Sequence, residues 1–292
     1  AILSAVFCDR LEVALMGRTY PSHEIAQLAK WDAVVKRAKE HIPSVEKILD
    51  EELCTLSLDK DFVFRRFGKA LQRIDEQATE IYLKHERQAM EFIAQEWLEQ
   101  RREQLQQDWE RLWALLRERG WDAFKQEVMP VFMDFAQLVQ RLEKDLGNMR
   151  KTRGGLTFER AVERLLAKIA IPCERPMGRE AQRNLERIDL VSPDVQTALN
   201  EPKRAIFLTL KRTLRERWKQ EVPAAQGRRC WLLTLDPDIP ETKADEIHEK
   251  GLEAFVPEEV AVQLRQKGKI WMRSLDELPK LLQEALGGEM GC

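Results

Sequence analysis

Ala205-Ile206-Phe207-Leu208-Thr209-Leu210-Lys211-Arg212-Thr213-Leu214-Arg215-Glu216-Arg217-Trp218-Lys219-Gln220 passes from an unbroken apolar run into a densely basic one. The apolar part, Ala205–Leu210, is short and predicts a strand, whereas Leu214–Val222 predicts a helix. Working outward, Arg187–Val191, Cys230–Leu235 and Glu253–Val256 are further strand candidates. Leu156–Ala170, Thr242–Lys250, Glu258–Lys267 and Leu275–Leu286 are helix candidates. Strands alternating with helices imply a mixed layer structure. The expected fold class is α/β (α+β), with an all-helical N-terminal region and a mixed β-sheet core flanked by helices.

The N-terminal half has a different period. From about Ser22 to Met149 apolar residues recur at three and four, as in Ile93, Trp97, Leu98, Leu105, Trp109, Leu112, Trp113 and Leu116. The span from Asp75 to Gly120 contains no proline and predicts one or two long helices. Pro130 is expected to kink or divide the next helix, Trp121 to Leu146. The stripe Trp97, Trp109, Trp113 is read as helix-bundle core rather than as a stacking platform for bases. Gly147 and the pair Gly154-Gly155 mark a boundary. It separates a helical region, 1–148, from a second domain, 149–292.

Composition narrows the classes. The chain has 292 residues, 43% hydrophobic and 34% charged, with a formal net charge of −2. No apolar run reaches the length of about eighteen residues that a membrane span needs, so no membrane partner is expected. Ala1 to Leu15 lacks a basic segment followed by a clean apolar one and does not read as a signal peptide. The five cysteines are scattered without a CxxC pair, and four histidines do not complete a zinc site. Reduced thiols and a cytoplasmic location are expected. The near-neutral total offers no global field for nucleic acid, so any such site must be a local basic surface. Lys203 to Lys219 supplies one, with seven basic residues against the single acid Glu216.

Three residues carry candidate chemistry. Asp189 sits inside the apolar run Arg187-Ile188-Asp189-Leu190-Val191, where a buried charge is costly unless paired or metal-bound. Lys211 ends the apolar run before it. Glu159 is placed in the first turn of a helix opened by Gly154-Gly155. Two carboxylates and an ammonium are the parts needed for metal-assisted phosphodiester hydrolysis, with Mg²⁺ held by carboxylate oxygens. In a major groove, Arg215 and Arg217 can each bond guanine O6 and N7, and Glu216 can accept from cytosine N4.

These residues fall into a known order. The C-terminal half resembles the EcoRII-type, CCGG-family branch of type II restriction endonucleases, within the PD-(D/E)xK superfamily. Arg150-Lys-Thr-Arg-Gly-Gly-Leu-Thr-Phe-Glu159 resembles the family's basic, glycine-containing lead into the helix of its first glutamate. Arg187-Ile-Asp189-Leu resembles the Pro-Asp strand, and Thr209 to Gln220 resembles the lysine strand and recognition helix. Trp231–Leu235, Asp245-Glu246-Ile247 and Ala254–Pro257 resemble the strand–helix–strand that follows. The resemblance implies a Mg²⁺-dependent endonuclease cutting double-stranded DNA at a palindrome with a CC…GG core. It further implies Glu159 and Asp189 as metal ligands, Lys211 serving the attacking water, and Arg215, Glu216 and Arg217 reading bases. Lys151, Arg153, Arg212 and Lys219 are the expected backbone contacts, and a homodimer or higher oligomer the expected assembly.

Two departures stand out. Ile188 replaces the proline before the aspartate, at a position that is not a ligand. Ala224 falls where the family carries a further glutamate, and Glu221, one turn earlier, is the candidate substitute. A DNA-binding protein on a decayed nuclease scaffold is the alternative that Ala224 keeps open.

Overall fold

A computed structural model describes residues 31–214 and 227–287. The chain divides into two compact units, 1–42 with 84–148, and 43–83 with 149–292. Residues 43–83 therefore group with the C-terminal part of the chain, not with the other N-terminal helices.

The elements run α1 (Asp32–Lys39), α2 (Val45–Thr55), α3 (Lys60–Arg65), α4 (Phe67–Gln100) and α5 (Arg102–Lys168). Then come α6 (Arg179–Asn184), β1 (Leu190–Ser192), α7 (Val195–Asn200), β2 (Ile206–Leu210) and β3 (Arg229–Leu233). The chain continues with α8 (Glu241–Glu249), β4 (Glu253–Val256), α9 (Glu258–Gln266), β5 (Met272–Ser274) and α10 (Leu278–Gly287).

In the first unit, ion pairs and aromatic contacts fasten the helices. Arg37 pairs with Glu96, Lys39 with Asp145 and Arg141 with Asp32. Trp97 packs on Phe135 and donates its indole N–H to Asp134 at 2.9 Å. Arg111 reaches Glu127 at 3.0 Å across the reversal between them. That reversal lies at Gly120 (φ 78°, ψ −177°), where α5 is interrupted. Pro130, expected to kink or divide the helix, does not divide it and lies inside it. A reversal needs positive φ, which glycine supplies without strain; proline, fixed near −65°, keeps helical angles and forfeits one hydrogen bond.

Two further expectations are corrected. Gly147, Gly154 and Gly155 do not end a helix, because α5 runs through all three. A helical glycine costs only about 1 kcal/mol relative to alanine, so packing on neighbouring turns overrides it. The tryptophan stripe is not uniformly core: Trp97 is buried, but Trp109 is 62% and Trp113 47% exposed.

The second unit is built on a five-stranded mixed sheet in the order β1-β2-β3-β4-β5. β1 runs antiparallel to β2, and every other pair is parallel. β2 is buried along its whole length, which explains its lack of polar alternation. Val191, Phe207, Leu232, Ala254 and Met272 pack with Ala244, Ile247, Ala261 and Leu264 in one cluster. The fifth strand, Met272–Ser274, has no counterpart among the expected strands; three residues carry too little period to be seen.

Gly68 gives this packing a test. Its N–H donates to Asp276 at 2.8 Å. An added Cβ would lie 2.9 Å from the Leu275 Cβ. Gly68→Ala is expected to destabilise the protein by about 1–3 kcal/mol in urea unfolding. Gly147→Ala, which meets nothing within 4 Å, is expected to stabilise it by about 0.5–1 kcal/mol.

Candidate active site

The antiparallel pairing of β1 with β2 decides where the chemistry sits. Leu190 lies opposite Leu208, so Asp189, one residue earlier, falls beside Thr209 at the end where Lys211 leaves β2. The Leu210 N–H donates to Asp189 Oδ2 at 2.6 Å, and the Asp189 N–H donates to the Leu208 carbonyl at 3.0 Å. Lys211 is anchored by its own N–H to the Leu233 carbonyl at 3.0 Å. It makes no salt bridge with the described residues.

Burial pushes the Asp189 carboxyl above the usual range; the Lys211 ammonium, the Leu210 N–H and the Arg175 guanidinium pull the other way, and Glu159 adds to the rise. Asp189, Lys211, Glu159 and Arg175 therefore lie near enough for their charges to interact.

Glu159 does not open a helix, as the sequence reading expected. It lies far along α5, because the helix started well before Gly154. Its Oε2 accepts from Arg175 Nη1 at 2.8 Å, and Arg175 Nη2 lies 3.6 Å from Glu163 Oε2. Glu159 and Glu163 are one turn apart, and their mutual repulsion is relieved by the shared cation. Arg175 is delivered by a bridge: the Glu174 N–H donates to the Val191 carbonyl, and the Val191 N–H to that of Glu174, each at 2.8 Å. Arg175 and Glu163 were absent from the sequence reading. In Ile171-Pro172-Cys173-Glu174-Arg175-Pro176 only the two prolines stand out, and they mark an extended segment without naming its neighbour.

The basic candidates differ in their surroundings. Lys151 is exposed on α5. Arg153 is buried, its guanidinium 4.2 Å from the centre of the Tyr82 ring. Arg212 donates to both carboxylate oxygens of Asp75, at 2.7 and 2.8 Å. Arg215, Glu216, Arg217, Lys219, Glu221 and Ala224 lie outside the described residues.

A divalent ion suits the donor set. Mg²⁺ takes one or two carboxylates from protein and completes its shell with phosphate and water oxygens. Among the described residues, the hydrogen bonds on the Asp189 carboxylate fall on Oδ2 and none on Oδ1. Among the described residues no group of three His, Cys, Asp or Glu side chains comes together. Asp189 and Glu159 are the carboxylates expected to hold the ion, and Glu163 shares Arg175 with Glu159.

The raised pKa of Asp189 has a thermodynamic consequence. The folded state holds this proton more tightly than the unfolded state does. Asp189 therefore costs stability as pH rises from the ordinary aspartate value, near about 4, through its raised one. Asp189→Asn, measured without divalent metal, is expected to melt higher than wild type at pH 7, with the gain vanishing below about pH 4. A variant that melts lower at both pH values contradicts this account.

The comparisons identify the family and the fold. Residues 117–278, more than half of the chain, match the family described as EcoRII C terminal. Three solved structures share the fold. Metal-depleted Ecl18kI in complex with uncleaved DNA is 17% identical, with a TM-score of 0.69, covering 91% of this chain and 87% of that one. Metal-depleted Ecl18kI with uncleaved, modified DNA is 18% identical, with a TM-score of 0.67 over 88% and 83% of the two chains. The PspGI–substrate DNA complex is 17% identical, with a TM-score of 0.60 over 86% and 96%. No curated protein sequence matches. By family match, fold and the meeting of Asp189 with Lys211 at the strand ends, the chain belongs to the EcoRII C-terminal family of site-specific type II restriction endonucleases, enzymes that cleave DNA.

Proposed function

We propose that the protein is a Mg²⁺-dependent endonuclease that cuts both strands of DNA at a short palindrome with a CC…GG core. The observation that carries this is the Leu210 N–H on the Asp189 carboxylate at 2.6 Å, which sets that acid at the strand end from which Lys211 leaves, in a chain that matches the EcoRII C-terminal family. In the Ecl18kI structures metal depletion accompanies uncleaved DNA, which supports a metal requirement here.

Asp189 and Glu159 would hold the ion. When bound, Mg²⁺ supplies a more acidic water and offsets charge on the phosphorane-like transition state. Lys211, projecting beside Asp189, orients the attacking water or stabilises the developing charge. Arg175 holds the Glu159 carboxylate in place. Arg215 and Arg217 would read guanine and Glu216 cytosine, with Lys151 and Lys219 on phosphates. Glu221 is the proposed stand-in for the glutamate missing at Ala224. A homodimer matches the symmetry of a palindromic site. The N-terminal helices, with Trp109, Trp121 and Phe132 exposed, are the proposed surface for dimerisation or for wrapping the duplex.

Ala224 favours a second reading, in which the protein binds DNA without cutting it. Plasmid of known sequence incubated with Mg²⁺ separates the two: discrete fragments whose ends share a CC…GG core support the enzyme, whereas retarded, intact DNA supports the binder. Lys211→Ala is expected to abolish cleavage while keeping metal-free site binding. Each core C·G pair replaced is expected to weaken binding by about 1–3 kcal/mol. Full activity in Lys211→Ala, or equal affinity for A·T-only duplexes, removes the corresponding residues from the mechanism.

A further inference from the structure

The residue after Lys211 is held more firmly than a surface arginine needs to be. Arg212 Nε and Nη2 donate to Asp75 Oδ1 and Oδ2 at 2.7 and 2.8 Å. The side chain of Asp75, on α4, is only 16% exposed, and that of Arg212 37%. The Arg212 carbonyl accepts from the Leu235 N–H and from the Thr234 hydroxyl, each at 3.2 Å. Two residues on, the Leu214 N–H donates to Asp236 Oδ2 at 2.7 Å, and the Leu214 carbonyl accepts from the Lys243 ammonium at 2.6 Å. Gly154 leaves room on the other side: a Cβ there would touch Arg212 Nη1 at 3.6 Å and Cδ at 3.7 Å.

Among the described residues, Lys211 has no such restraint beyond its backbone. Its ammonium rides on a flexible stem with about 2 kcal/mol of rotamer entropy, so the placement of its Cα matters. A bidentate arginine–carboxylate pair supplies orientation as well as attraction, which a single contact does not.

We propose that Asp75 is a positioning residue for the cleavage step: by locking Arg212 it fixes the backbone from which Lys211 projects toward Asp189. The proposal rests on the reading of Lys211 as part of the catalytic site. It reassigns Arg212 from a phosphate contact to an internal strut.

Asp75→Asn distinguishes the two roles, because it releases Arg212 without removing it. Single-turnover cleavage, metal-free site binding and melting temperature would be measured on wild type, Asp75→Asn, Arg212→Ala and the exchanged pair Asp75→Arg/Arg212→Asp. A positioning role predicts that Asp75→Asn loses about tenfold or more in cleavage rate, since small misplacements near reacting groups have such effects. Binding and melting temperature stay near wild type, and the exchanged pair recovers part of the rate. Unchanged or faster cleavage with tighter binding in Asp75→Asn overturns the proposal in favour of a phosphate contact. A rate loss that follows the fall in melting temperature, with no recovery in a folded exchanged pair, overturns it in favour of a purely structural pair. A wild type that binds but never cuts overturns the nuclease reading itself; a cutting wild type matched by Asp75→Asn overturns this proposal alone.

Discussion

One hydrogen bond organises the site: the Leu210 N–H on the Asp189 carboxylate, 2.6 Å across the end of the sheet. It exists because β1 runs against β2. Had the two been parallel, the residue before β1 would lie beside the start of β2, far from Lys211. The antiparallel edge therefore puts the acid and the amine at one end of the sheet. Burying Asp189 raises its pKa, so its charged form is destabilised in the fold. The backbone N–H, Lys211 and Arg175 offset part of that cost. A partly buried carboxylate whose pKa is raised beside a cation is a candidate for chemistry, the reading adopted above for Asp189.

The second carboxylate obeys the same logic from another element. Glu159 and Glu163 share a helix face and repel, and Arg175 stands against both. That cation is delivered by the Glu174–Val191 bridge, so the strand that buries Asp189 also brings the partner of Glu159. Acidic and basic groups are thus set by one strand. A change in the register of β1 would disturb all of them together.

Which parts could be read from the sequence follows from how local their signals are. Ala205–Leu210 and Glu253–Val256 announced strands because their apolar runs are short and bounded; Asp189 stood out as a charge inside an apolar run and Lys211 as one at the end of another. Arg175 and Asp75 could not be seen, since each matters only through a partner brought close by topology. Gly154 misled for the opposite reason: a local breaker signal was overridden by the turns around it, which continue one helix through it. The heptad-like tryptophans marked an apolar face without saying what covers it. Recognition of the family rested mainly on Lys211 to Gln220, most of which lies outside the described residues.

The same distinction governs the charge of the proposed DNA face when it is counted by residue. Seven basic residues against one acid between Lys203 and Lys219 describe a strongly cationic surface on paper. Arg204, however, pairs with Glu201 at 2.9 Å, and Arg212 is bound by Asp75. Arg153, from the other basic stretch, lies over Tyr82. Arg212 and Arg153, engaged with Asp75 and Tyr82, are less available to displace counterions from phosphates than the exposed Arg204, and add correspondingly less to sequence-independent affinity. With a net charge of −2, the chain has a weak general attraction for phosphate to draw on. A nuclease with so weak a general attraction is expected to draw more of its binding free energy from groups that meet bases and phosphates at a matching site.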